Sequence, residues 1–380
     1  MELHDRDYAH WLSNVSGIGS ATIDKLLEAG FTCKDVYTAG AKELSAILKP
    51  KQLKNLQESR YSWDFEREIQ KLEEKNIRFI SKLDAEFPEK LKFIPDPPFS
   101  IYVKGMLPDP EIPSVAIIGA RMCSDYGRYM ARQFGRGLAM SGVQVISGMA
   151  RGVDGIAQHA AITAGGKSFA VLGCGPDICY PEENKDVYDF LPNSGGIISE
   201  YPPGMEPISS FFPKRNRIIS GLSDVLLVVE ARQKSGTSIT VDTALEQGRE
   251  VLAVPGRVTD RLSDGCNNLI SQGAGVAINV EDVLDRLWQL KKPKTAYIPD
   301  DNTTQELYDD EMSVAKSKEP TIEDDILSIL DIIPVSTSYI MEELYRRGRD
   351  TSIPILMATL MDMTGCGKIA QNGAYYRKVS

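Results

Sequence analysis

Between residues 114 and 290, short apolar runs alternate with amphipathic stretches. The runs are SVAIIG (114–119), VQVISG (143–148), SFAVLG (168–173), DVLLVVE (224–230), EVLAVP (250–255) and GVAIN (275–279). They are near-continuous in Val, Ile and Leu, the pattern of strands buried on both faces of a parallel sheet. Each is followed by a helical pattern, and repeated strand-then-helix order predicts a doubly wound, mostly parallel α/β sheet.

The flanks read differently. Residues from about 8 to 72 alternate helical periodicity with short turns, and 79–105 form a connecting stretch rich in proline and aromatics. Residues 291–320 combine KKPK with a dense acidic run and few large apolar residues, the composition of a linker. Three helical patterns follow, near 322–330, 338–346 and 353–363, and then KIAQNGAYYRK, whose Asn372-Gly373 pair suits a tight hairpin turn. Three helices and a two-stranded wing predict a small winged-helix domain. The expected organisation is an all-α module over 1–75, the α/β domain with its extension over 76–290, an acidic linker over 291–320 and the winged helix over 321–380.

The chain has 380 residues, 42% of them hydrophobic and 25% charged, as in an ordinary soluble protein. Met1 to His10 is charged and has no apolar core, so no signal peptide is expected. No apolar run nears the roughly 20 residues that span a bilayer. A cytoplasmic protein without membrane contact is expected. Six scattered cysteines and three histidines offer no metal-ligand spacing, so the thiols are expected free and buried or partly buried, with no metal. A formal net charge of −10 disfavours broad nucleic-acid binding, so any such contact must come from local clusters of cations and amides.

Several motifs supply such clusters. VSGIGSATIDKLLEAG (15–30) has the glycines of a turn between two helices, suited either to a phosphate or to a purely structural role. The first α/β strand ends in Gly119-Ala120-Arg121 and lacks the second and third glycines of a dinucleotide loop, which disfavours a nicotinamide or flavin cofactor. SGMARGVDGIAQHAA (147–161) places Gly148 and Arg151 at the next strand end, with Asp154 expected to cap or pair rather than catalyse. SSFFPKRNRIISG (209–221) gathers Phe211, Phe212, Lys214, Arg215, Asn216 and Arg217, cations for phosphates and aromatic faces for stacking bases. Gly236 and Thr237 open a helix after the 224–230 strand, a place that suits a phosphate.

GAR (119–121), SGMARGVDGIAQ, FPKRNRIISGL, SGTSITVDTALEQGREVLAVPG and NNLISQGA, in this order, resemble the DNA-processing protein A family (DprA, also called Smf). The likeness covers nearly the whole chain. It implies a Rossmann-like domain, an N-terminal helix-hairpin-helix or SAM-like module and a C-terminal winged helix. It implies a non-enzymatic role: binding single-stranded DNA without sequence specificity, protecting it during natural transformation, dimerising through the Rossmann-like domain and loading RecA recombinase. Carried over by motif, the DNA-binding residues are Gly119 and Arg121 at the first strand end and Phe212 to Arg217. Ala120 replaces a serine frequent in the family, which removes a hydroxyl and keeps the amide.

The third helix of the tail, SIPILMATLMDM, has no Lys or Arg, which favours protein contact over duplex reading. The α/β block also resembles Rossmann-like nucleoside monophosphate hydrolases of the lysine-decarboxylase-like group. Those carry a catalytic glutamate shortly after a Gly-Thr pair, whereas here the first acid after Gly236-Thr237 is Asp242. That displacement favours binding over catalysis.

Overall fold

A computed structural model describes residues 3–291, 321–330, 335–347, 349, 351, 353–372 and 375–378. The chain divides into two compact units, 1–293 and 294–380. The expected linker, apart from Lys291, lies outside the described residues, as does Gly373 of the expected hairpin turn.

The first unit is built on nine strands: β1 Ile77–Ser81, β2 Ser100–Gly105, β3 Ser114–Ile118, β4 Gln144–Ser147, β5 Ser168–Leu172, β6 Gly195–Ser199, β7 Val225–Val228, β8 Glu250–Ala253 and β9 Gly275–Val276. Their spatial order is β1-β2-β6-β5-β4-β3-β7-β8-β9. From β6 to β9 every pairing is parallel; β2 runs antiparallel to both β1 and β6. From β3 the chain moves outward through β4, β5 and β6, and returns to the other side of β3 as β7. That reversal opens a crevice beyond the carboxyl ends of β3 and β7.

All six predicted strands are present; five are buried on both faces as their composition implied, while the last, GVAIN, forms only the two-residue β9 at the sheet's edge, where Val276 is exposed. Val115 and Ile117 point to a layer with Phe134, Leu138, Val153 and Val283, from helices Asp125–Met140, Val153–Thr163 and Val280–Lys291. Ala116 and Ile118 point the other way, to Ile218, Ile219 and Val241, from helices Phe211–Leu222 and Gly236–Glu246. The alternation follows from the two-residue period of a strand.

The expected boundary between 75 and 76 does not separate two cores. Trp11, Leu12, Ile23, Leu26 and Leu56 of the N-terminal helices share one apolar cluster with Ile77, Phe79, Phe99 and Tyr102 of the β1–β2 region. The stretch expected as a connector therefore forms the sheet's antiparallel edge. The glycine turn at 15–30 is present, with Gly17 at φ +81°. Its carbonyls are held from within: Asn55 Nδ2 donates to Ser16 O and Gln52 Nε2 to Gly17 O, both at 2.8 Å.

The second unit holds helices Ile322–Ile329, Thr337–Arg346 and Ile353–Gly365 at the three predicted places. Its sheet has three strands rather than two, because the short β10 Val335–Ser336 pairs with β12 Tyr375–Lys378, which also pairs with β11 Ile369–Asn372. Ile326, Ile340, Leu344, Leu356 and Leu360 form its core.

Candidate functional site

The crevice at the switch point is a cleft of about 580 Å³. Ile118, Gly119, Ala120 and Arg121 at the end of β3 form one side. Phe212, Asn216 and Ile219 of helix Phe211–Leu222 form another, and Ser235, Gly236 and Thr237 at the start of helix Gly236–Glu246 a third. Gly119 is required there: a Cβ would lie 2.7 Å from Val153 Cγ2. Gly236 is different, since a Cβ there would meet nothing within 4 Å. The space before this helix start is open; Ser238 N donates to Ser235 O at 3.1 Å, and the amides of Gly236 and Thr237 precede the first bonds of the helix.

Arg121 is exposed and its guanidinium carbon lies 5.7 Å from the centre of the Phe212 ring. Tyr180, 44% exposed, also packs tilted against Phe212, with ring centres 5.4 Å apart. Phe212 is half-buried and lines the cleft. Phe211 is engaged elsewhere, stacked on Tyr201 at 4.1 Å. Lys214 is exposed beside this mouth and forms no ion pair among the described residues. Arg151 is exposed and paired with Glu183 in an adjoining hollow that shares Tyr180 and Pro207 with the cleft.

Two expected phosphate ligands are placed otherwise. FFPKRNRIISGL is a helix, so Arg215, Ile218, Ile219 and Leu222 fall on its buried face. Arg215 is 4% exposed beneath the cleft and donates from Nη1 to Gly148 O at 2.8 Å and also to Val171 O. Gly148 is glycine because this guanidinium fills its side-chain space. Burial lowers the Arg215 pKa to about 10, against the raising effect of Asp154, so it stays cationic at neutral pH. Asp154 is buried too, accepts from Gly148 N at 3.1 Å, and has its pKa raised by burial. Arg217 is turned out of the cleft, with Nη2 2.8 Å from Glu200 Oε1 and Nε 3.3 Å from Asp96 Oδ2. Arg215 and Arg217 thus brace the site rather than line it with free charge.

The start of helix Asp125–Met140, where a dinucleotide fold places a pyrophosphate, is filled by protein. Glu230 is buried there and accepts from Ser124 N at 2.9 Å and from Ser124 Oγ. Gly127 leaves room for that carboxylate. Asp154 is the sole carboxylate among the cleft-lining residues.

Sequence reading passed over a further group of cations. Arg232 and Lys234 follow β7, Arg257 and Arg261 follow β8, and all four are exposed without ion pairs among the described residues. The two loops are joined, Ala231 N donating to Leu262 O at 2.9 Å. Thr237 lines both the cleft and a hollow containing Arg232. These cations are scattered along the chain and become neighbours only through parallel strand ends. Among the cysteines, Cys366 is exposed and Cys179 half-buried; the other four are buried, and all six are free. No described helix is long and apolar enough to cross a membrane.

The topology and cleft define a class: a doubly wound α/β protein whose strand ends present arginines and aromatics instead of a dinucleotide loop. Residues 78–288 match the model of the DNA recombination-mediator protein A family, and the chain belongs to that family. It is 42% identical over 205 residues to DNA processing protein DprA of Streptococcus pneumoniae, spanning 54% of this chain and 72% of that one. It is 33% identical over 289 residues to protein Smf of Synechocystis sp., spanning 74% and 73% respectively. The X-ray structure of DprA from Streptococcus pneumoniae aligns with a TM-score of 0.66 at 35% identity, covering 75% of this chain and 98% of that one. A structure of DprA from Helicobacter pylori, solved for its single-stranded DNA binding mode, aligns with a TM-score of 0.50 at 30% identity, covering 56% of this chain and 96% of that one.

Proposed function

We propose that this chain binds single-stranded DNA in the switch-point cleft, without reading its sequence, and passes the strand to RecA recombinase. The observation that carries the reading is the cluster of Arg121, Phe212 and Tyr180 lining the same cleft as the open helix start at Gly236. Guanidinium and amides suit the phosphate, and aromatic faces suit any base. The strand is held by Arg121, Lys214 and Thr237, with Arg151, Arg232 and Lys234 at the rims. Gly119, Gly148, Arg215 and Asn216 shape the floor and walls, and Arg217 braces the same helix from outside the cleft. The protein acts in the cytoplasm as a homodimer through its Rossmann-like domain. The N-terminal helices serve as a helix-hairpin-helix or SAM-like module, and the C-terminal unit as a winged helix for protein contact, a role suited by exposed Ile355 and Met361 on its third helix.

Nucleoside monophosphate hydrolysis is the poorer reading, because Asp154 is buried and tied to Gly148 while Asp242 is not among the cleft-lining residues. A gel-shift comparison of single-stranded and duplex DNA of equal length tests the proposal. Preference for the single strand is expected, and equal affinity for the duplex refutes it. Release of free base from a common monophosphate above background would replace it with the hydrolase.

A further inference from the structure

Helices Asp125–Met140 and Val153–Thr163 approach so closely that Gly135 faces the Ala157 carbonyl with no room for a side chain. Beside this crossing lies a groove of about 770 Å³, floored by Ile156, Ala160 and Ala164. Arg132 and Arg136 stand one turn apart on one wall, both exposed, and His159 stands on the other. Neither arginine forms an ion pair among the described residues, although the chain carries 53 acids against 43 Lys and Arg. Like charges four residues apart repel each other, so the fold keeps an uncompensated pair here. The groove and the cleft both adjoin the hollow around Arg151. Tyr180 and Pro207 line both the cleft and the hollow around Arg151, and Glu183 lines both that hollow and the groove.

We propose that this groove is a second phosphate-binding station for the strand held in the cleft. Nucleotides leaving the cleft cross the Arg151 rim, and their phosphates reach Arg132 and Arg136. The apolar floor takes a base face, and Glu183 and Asp186 opposite keep the backbone on the arginine wall. The inference rests on the reading of the cleft as a single-strand site.

Two oligothymidylates separate the stations: one of about 6 nucleotides, long enough for the cleft alone, and one of about 20. An Arg132→Gln/Arg136→Gln double variant with the parent's melting temperature should bind the short strand like the parent. It should bind the long one about tenfold more weakly at low salt, with a salt slope shallower by about 1.4, for two phosphates lost. A single Arg136→Glu reversal gives the same ordering by a second route. Arg121→Ala should weaken both lengths. If it does so while the groove variants match the parent on the long strand, the groove proposal fails and the cleft stands. Equal weakening of both lengths by the groove variants also overturns it, because the groove then acts through the cleft. If the parent binds neither length, the cleft reading fails first and the groove falls with it.

Discussion

The Arg215 guanidinium occupies the space that a side chain at Gly148 would need: a Cβ built there lies 2.5 Å from Nη1. The arginine is buried and also holds the Val171 carbonyl, so one cation ties the ends of β4 and β5 together beneath the cleft. Asp154 is the nearby countercharge.

Arg215→Met should therefore act on stability before affinity. Removing one member of a buried charged pair costs about 3–5 kcal/mol, because the other is left uncompensated. Gly148→Ala forces the same guanidinium aside and should cost about 1–3 kcal/mol. Urea unfolding monitored by circular dichroism measures both. A fully stable Arg215→Met variant that has lost DNA would make Arg215 a direct ligand.

A pH effect is expected from the N-terminal helices. His10 is buried among Trp63, Phe79 and Tyr102, with ring-centre distances of 5.3, 4.8 and 5.7 Å. Burial, followed by the charges of Arg6 and Lys71, lowers its pKa to about 4. An unfolded chain takes up that proton near pH 6.5, so the folded state loses stability as pH falls from about 6.5 to about 4. The linkage amounts to about 3 kcal/mol over the interval. His10→Phe should gain on the parent across that window and nowhere above it. Parallel stability curves for the two would place His10 in a less apolar setting.

Truncation tests the shared core. A fragment beginning at residue 76 exposes Ile77, Phe79, Phe99 and Tyr102, which otherwise pack on the N-terminal helices. At about 1.5–3 kcal/mol for each large side chain, this approaches the whole stability of a typical domain. The 76–290 fragment should melt far below the 1–293 fragment, or fail to fold. The 1–293 fragment should keep most of the single-strand affinity. Matched melting curves for the two fragments would mean that the helices form a separate domain.

The contrast between these regions explains what the sequence could disclose. Runs such as SVAII and VLLV announce buried parallel strands because both faces demand apolar residues. β6 is hidden because only Ile197 and Ile198 are large; Gly195 and Gly196 lie where the Ser168 and Met106 carbonyls leave no room for a Cβ. FPKRNR reads as a basic loop by composition. Its helical period, with Arg215, Ile218, Ile219 and Leu222 at i, i+3, i+4 and i+7, was available as a sign that Arg215 points inward. The rim cations at 232, 234, 257 and 261 carried no such sign, since strand order alone makes them adjacent.

The division of labour at the cleft mouth can be read from salt dependence. For a single strand, log affinity falls with log salt by roughly 0.7 for each phosphate neutralised. Arg121 is exposed, free of ion pairs among the described residues and aligned over Phe212, so Arg121→Ala should weaken binding and flatten the slope by roughly 0.7. Lys234→Ala, just before the cleft-lining Ser235, should do the same. Arg217→Ala should leave the slope unchanged, because its charge is already committed to Glu200 and Asp96. Phe212→Ala should cost about 1–3 kcal/mol of affinity with the slope intact, since stacking releases no ion. Phe212 also packs against Gly173 and Tyr180, so a paired Phe212→Leu variant separates lost packing from lost stacking. If Phe212→Leu folds like the parent and binds equally well, the ring does not stack on a base. A folded Arg121→Ala variant with parental affinity and slope would remove Arg121 from the site.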